Sequence, residues 1–168
     1  IDMTAKLNAG HLRLVNKPFY DEEHLHPLDR ALAAQKETSV WLKKNSMTNI
    51  KWAPRIRWGA LIDVPNINGS TKSQTPVVGM ALDLKSSNSL EIQRLQLKKS
   101  LIKGRLPKNL NEMLMGNSLA KDLDVALGQS VTVIGQSFDG GLVADNYQVV
   151  GLIRFGVTAM DKKMVLID

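Results

Sequence analysis

The sequence predicts an α+β fold rich in strands, and three stretches carry that expectation. Residues 111–135, "NEMLMGNSLAKDLDVALGQSVTVIG", read as a strand, a glycine turn, a short helix, a second glycine turn and another strand. Residues 50–64 and 77–84, "IKWAPRIRWGALIDV" and "VVGMALDL", read as two extended runs joined by the polar loop "PNINGSTKSQTP", with a hairpin signal at Asn68-Gly69. Residues 28–44, "LDRALAAQKETSVWLKK", suit a helix, because Leu28, Leu32, Val40 and Trp41 can share a face and Lys43 and Lys44 favour the C-terminal end of a helix dipole.

The remaining elements follow from similar signals. "GHLRLVN", residues 10–16, alternates at period two and predicts a first strand. Between residues 86 and 103 the pattern is helical in places, with Leu90, Leu95 or Leu97, and Leu101 with Ile102 apolar while Arg94, Lys98, Lys99 and Lys103 are not. Gly104 and Pro107 end that run. Residues 130–135, 147–154 and 163–168 are strand-like, with "SFDGGLVADN" as the connector between the first two.

Composition excludes several function classes. The chain has 168 residues, 43% of them hydrophobic and 23% charged, within the range of ordinary globular domains. Its formal net charge of +6 permits contact with an anionic lipid or nucleic acid but is also an ordinary solubility margin. With no cysteine there are no disulfides and no thiolate metal sites. The longest apolar runs, "VVGMAL" and "VVGLI", are far below the roughly 20 residues a membrane helix needs. The chain opens at Ile1 with neither an initiator Met nor a signal-peptide pattern, so it reads as an excised fragment.

The usual chemical signatures are missing. Gly-Lys does not occur, so there is no loop of the type that wraps nucleotide phosphates, and there is no dinucleotide fingerprint. No Gly-x-Ser-x-Gly elbow is present. His24 and His26 beside Asp21, Glu22 and Glu23 supply raw material for a metal site, but a polar loop before a helix accounts for them better. Neither catalytic, cofactor nor metal residues are expected. Trp41, Trp52 and Trp58 interleave with Lys43, Lys44, Lys51, Arg55 and Arg57, a pattern that single-stranded nucleic-acid grooves use for stacking and phosphate contact. The same residues fit a half-buried hairpin with its cations in water, which is the preferred reading. The basic stretch from Arg94 to Lys103 likewise suits either an anionic membrane surface or the solvated face of a packed helix.

From Met113 to Asp168 the sequence resembles the extracytoplasmic domain of FtsX-like ABC transporter permeases, the MacB-like periplasmic core domain, and it is particularly similar to the LolC/LolE lipoprotein-releasing type. Met115-Gly116 with Leu119, Ala120 and Leu123 is similar to that family's "iG..LA..L", and Val125, Gly128 and Val131 to its "v..Gd.v.l". Gly104-Arg105 resembles "eGR", and Asp139-Gly140 followed by Tyr147, Val149, Val150 and Gly151 resembles "dG......f.VvGi". "GHLRLV" and the run from Val78 to Asp83 extend the likeness toward the start of the chain. Gln129 departs from the acidic residue usual after Gly128, and the family domain continues past the equivalent of residues 165–168.

The resemblance implies a porter-like strand-and-helix lobe, about residues 1–50 and 145–168, interrupted by a more variable β-rich lobe, about residues 51–144. It implies a non-catalytic periplasmic domain of an inner-membrane protein that transmits motion driven by a cytoplasmic ABC ATPase subunit. A second permease subunit, a periplasmic chaperone or adaptor, and lipidated or amphipathic cargo are the partners expected, and nucleic acid is not. The alternative is a basic module that binds nucleic acid or a membrane surface. Gly104, Gly116, Leu119, Ala120, Leu123, Gly128, Gly140 and Gly151 are expected to be structural. Trp58, Leu61, Ile62 and Met80, on the predicted hairpin, are the candidate cargo surface if the chain has one, and core is the preferred reading of the same residues.

Overall fold

A computed structural model describes residues 12–25, 27–32, 35–45, 50–86 and 88–168 of the chain. Among the described residues before residue 56 the elements are local: α1 (Lys17–Asp21), two short 3-10 turns (Glu23–Leu25 and Leu28–Arg30) and α2 (Gln35–Asn45). The Asn16 side chain caps α1 by accepting from the Phe19 amide at 2.9 Å. The expected strand over residues 10–16 falls partly outside the described residues, and residues 12–16 form none.

From residue 56 the chain is mostly sheet. Its elements are β1 (Ile56–Pro65), β2 (Thr71–Ala81), α3 (Leu90–Arg94), α4 (Leu97–Ser100), β3 (Leu101–Gly104), β4 (Glu112–Gly116), α5 (Asn117–Asp122), β5 (Ser130–Gln136), β6 (Leu142–Ile153), α6 (Thr158–Asp161) and β7 (Met164–Ile167). The strands lie in the order β3-β6-β4-β7-β2-β1-β5, and β5 returns to pair with β6. Six strands therefore close on themselves, with β3 laid along β6 outside the ring.

This closed barrel corrects the α+β expectation. Among the described residues there is no porter-like strand-and-helix lobe with a β-rich lobe inserted in it; the helices within the barrel region are single turns or little more, and the sheet dominates. Residues 71–76, expected in a loop, and 142–146, expected in a connector, are both strand. Thr71–Ala81 pairs with Ile56–Pro65 along nearly its whole length, and Leu142–Ile153 pairs with Ser130–Gln136. Cross-strand hydrogen bonding extends a hairpin past the point where its side chains stop being apolar.

Period-two alternation divides the core. Ile62, Val64, Val77, Met113, Met115, Val131, Val149, Leu152 and Val165, drawn from all six barrel strands, pack with Leu119, Ala120 and Leu123 of the α5 region into one buried cluster. Between them in sequence, Met80, Leu114, Ile153, Met164 and Leu166 face the other way and are covered by Leu95 and Leu97. The register shift between β4 and β6 at Met113/Leu114 keeps both Val149 and Leu152 in the first cluster although they are three residues apart.

Candidate functional site

Three of the residues that carry the family resemblance, Gly104, Arg105 and Gly151, meet where β3, β4 and β6 come together. Gly104, at φ +83°, ends β3, and a Cβ there would stand 2.2 Å from the Val150 carbonyl oxygen. Gly151 faces it from β6, and its Cβ would lie 2.5 Å from the Arg105 carbonyl oxygen and 2.6 Å from Leu114 Cδ2. Only glycine lets the two backbones cross this closely. The Arg105 amide donates to the Val150 carbonyl at 2.9 Å and completes the crossing.

Arg105 then turns its guanidinium onto Glu112, the first residue of β4. Its two terminal nitrogens donate to the two carboxylate oxygens at 2.7 and 2.6 Å. Glu112 is nearly buried, and it also accepts from the Lys108 amide at 2.7 Å, the Asn109 amide at 3.2 Å and Asn109 Nδ2 at 2.8 Å. These donors, the Arg105 fork first among them, hold the Glu112 carboxyl well below the usual carboxylate range against the opposing effect of burial. In turn the hydrogen bond to Glu112 raises the Arg105 guanidinium above its ordinary value. Such a fork positions a loop on a strand, and no reacting atom is within it. Sequence reading missed Glu112, although a lone carboxylate opening the run "EMLMG" was the signal available.

The other signature residues are structural in different ways. Gly116 has φ −57°, so close packing and not a left-handed turn calls for glycine there: a Cβ would stand 2.3 Å from the Asp161 carbonyl oxygen. Gly128, at φ +88°, does make the left-handed turn before β5, and its amide donates to the Val149 carbonyl at 2.7 Å. Gln129, where the family has an acid, accepts from the Ala126 amide through its side chain at 3.0 Å and so closes the same turn. Gly140, at φ +86°, sits in the β5–β6 turn, whose ends are joined by the Ser137 amide donating to the Gly141 carbonyl at 2.7 Å. Leu119, Ala120 and Leu123 are buried.

The candidate cargo residues do not share a surface. Ile62 and Met80 have no exposed area and belong to the two opposite core clusters. Leu61 is half-buried on the face opposite Ile62. Trp58 packs against the first cluster with its ring over Gly79, where a Cβ would lie 2.0 Å from the indole.

The tryptophans and cations of residues 41–58 are likewise dispersed. Arg55 reaches the buried Glu91 with Nε at 3.1 Å and a terminal nitrogen at 2.6 Å, and Arg94 approaches the same carboxylate at 3.7 Å. Arg57 is lowered from its ordinary value, chiefly by burial and secondarily by Arg13. Trp52 is half-buried and Trp41 is exposed on α2.

Among the described residues no group of three or more His, Asp or Glu could hold a metal ion, and His26 of the sequence cluster lies outside them. No helix among the described residues is long and apolar enough to cross a membrane. No protein-family model matches the chain. No curated protein matches it either.

Proposed function

We propose that the chain is a non-catalytic periplasmic domain of an ABC transporter permease of the lipoprotein-releasing type, transmitting motion from an ATPase on the other side of the membrane to a lipidated or amphipathic cargo or to a periplasmic partner. One observation supports it above the others. Residues that carry the resemblance are spent on rigidity: Gly104, Arg105 and Gly151, with Glu112 as the partner of Arg105, lock β3, β4 and β6 together, and Gly116 seats the turn after β4 on Asp161. A domain that conveys displacement needs stiff joints and no chemistry of its own. A closed barrel supplies the stiffness, because each strand in the ring is held on both sides.

The nucleic-acid reading draws less support from the geometry. Trp58 lies over Gly79 and Arg55 is committed to Glu91, so these two do not offer the free aromatic faces and cations that strand stacking uses.

The test is the parent gene. An apolar segment of about 20 codons upstream of Ile1, with further ones downstream of Asp168, is expected. Flanks that encode no such segment on either side would overturn the proposal.

A further inference from the structure

The end of the barrel where β4 and β6 finish and β3 and β7 begin carries a concentration of positive charge that the proposed function does not use. Lys98 and Lys99 lie on α4, Lys103 on β3, Arg154 just after β6, and Lys162 and Lys163 just before β7. All six are exposed, and none forms an ion pair with a described residue. The register places them together: Leu101 opposes Ile153, Gly116 opposes Ile153 from the other side, and Met115 opposes Val165. Asp161, nearby, accepts from the Phe155 amide at 2.5 Å.

A shallow cavity of about 420 Å³ opens in this surface, lined by Lys99, Ser100, Ile102, Arg154, Phe155 and Gly156. It borders β3, which among the described residues pairs with β6 alone and so leaves one edge of the sheet open. An open strand edge offers backbone donors and acceptors to an extended chain.

We propose that the open edge of β3 takes an acidic, extended segment of a partner protein as an added strand. The four residues of β3 span about 13 Å, so carboxylates four residues apart on the added strand reach Lys99 and Arg154 at one end and Lys103 at the other. Main-chain hydrogen bonds hold the segment, and the cations select its charge. A bilayer surface fits this site less well: Phe155 is only 2% exposed and Ile102 39%, so the patch presents little apolar surface to insert between lipids.

The experiment uses the whole chain and a fluorescein-labelled peptide of alternating Glu and Thr, read by fluorescence anisotropy at low salt. A second peptide of the same sequence is N-methylated at every internal amide, so that it keeps its charge and neither of its edges can donate strand hydrogen bonds. The expected result is binding of the first peptide, at least about tenfold weaker binding of the second, and about tenfold weaker binding by the double variant Lys99→Glu, Arg154→Glu. Both substituted side chains are exposed, and near-ultraviolet circular dichroism of the packed Trp58 verifies that the variant is folded. Three results overturn the proposal: no binding of the first peptide, equal binding of the two peptides, or binding to phosphatidylglycerol vesicles in preference to the peptide. The first would leave the lysines only as guards against strand pairing.

Discussion

In the barrel Leu114, Ile153 and Leu166 have no exposed surface, whereas before residue 56 Tyr20 is 67% exposed, Val40 66% and Trp41 56%. No residue from 12 to 55 whose side chain is described is buried. The earlier segment holds its shape by local devices: the Asn16 cap on α1, Asn45 Nδ2 donating to the Trp41 carbonyl at 2.8 Å, and the Arg30–Glu22 ion pair at 2.7 Å. Exposed ion pairs of that kind contribute about 0–1 kcal/mol. A fully buried Leu or Ile contributes about 1.5–3 kcal/mol. The difference teaches that the cooperative unit is the barrel, and that apolar residues in α2 do not by themselves make it part of the core.

Substitutions on the two sides of residue 56 sharpen that contrast. The largest effect is expected from Leu114→Ala, which empties a position buried between β6 and β7; the loss is about 3–5 kcal/mol, read as a lowered urea midpoint.

Glu112→Gln comes next, at about 2 kcal/mol at neutral pH. Arg105 keeps 42% of its side chain in solvent, so its fork is screened, and much of the loss comes from the Lys108 and Asn109 donors. This variant also breaks the acid response. Because the folded Glu112 carboxyl lies below its unfolded value of about 4.3, the unfolded chain binds the extra proton in between. The stabilisation is therefore complete above the unfolded value and drains as pH falls through the folded one. Denaturant midpoints taken down the acid range should fall more steeply for the parent chain than for Glu112→Gln; parallel slopes would contradict the role given to this carboxylate.

Gly116→Ala forces the Asp161 carbonyl to move and is expected to cost about 1–3 kcal/mol, again in a urea titration. The smallest effect belongs to the other region. Val40→Ser should change stability by no more than about 0.5 kcal/mol, and a loss as large as that of Gly116→Ala would mean that α2 belongs to the cooperative unit after all.

Local signals were legible in the sequence and closure was not. Gly69 does take φ +79° in the β1–β2 turn, and the expected strand, short helix and strand of residues 111–135 are β4, α5 and β5. The helix expected over residues 28–44 is shorter, beginning at Gln35 after a 3-10 turn at Leu28–Arg30. Ring closure depends on β6 pairing with β5 along its first half and with β4 along its second, and no local periodicity records which strand meets which. The junction at Gly104, Arg105 and Gly151 was half visible: its glycines stood out, but the partner that explains Arg105 is a carboxylate seven residues on, across a turn. Ile62 and Met80 take the core reading and not the cargo one, because a two-sided core makes both faces of a hairpin apolar.

The parallel pairing of β2 with β7 also orders events in time. Val78 meets Met164 and Ala81 meets Ile167, so the far edge of the β1–β2 hairpin stays open until residues 164–167 have been synthesised. Asp168 then fastens the join by accepting from the Leu84 and Lys85 amides at 2.9 and 3.1 Å. Such long-range closure is slow relative to hairpin formation. During synthesis the hairpin is an unprotected template for a neighbouring nascent chain, and a holdase that shields residues 71–81 would raise the yield of folded protein.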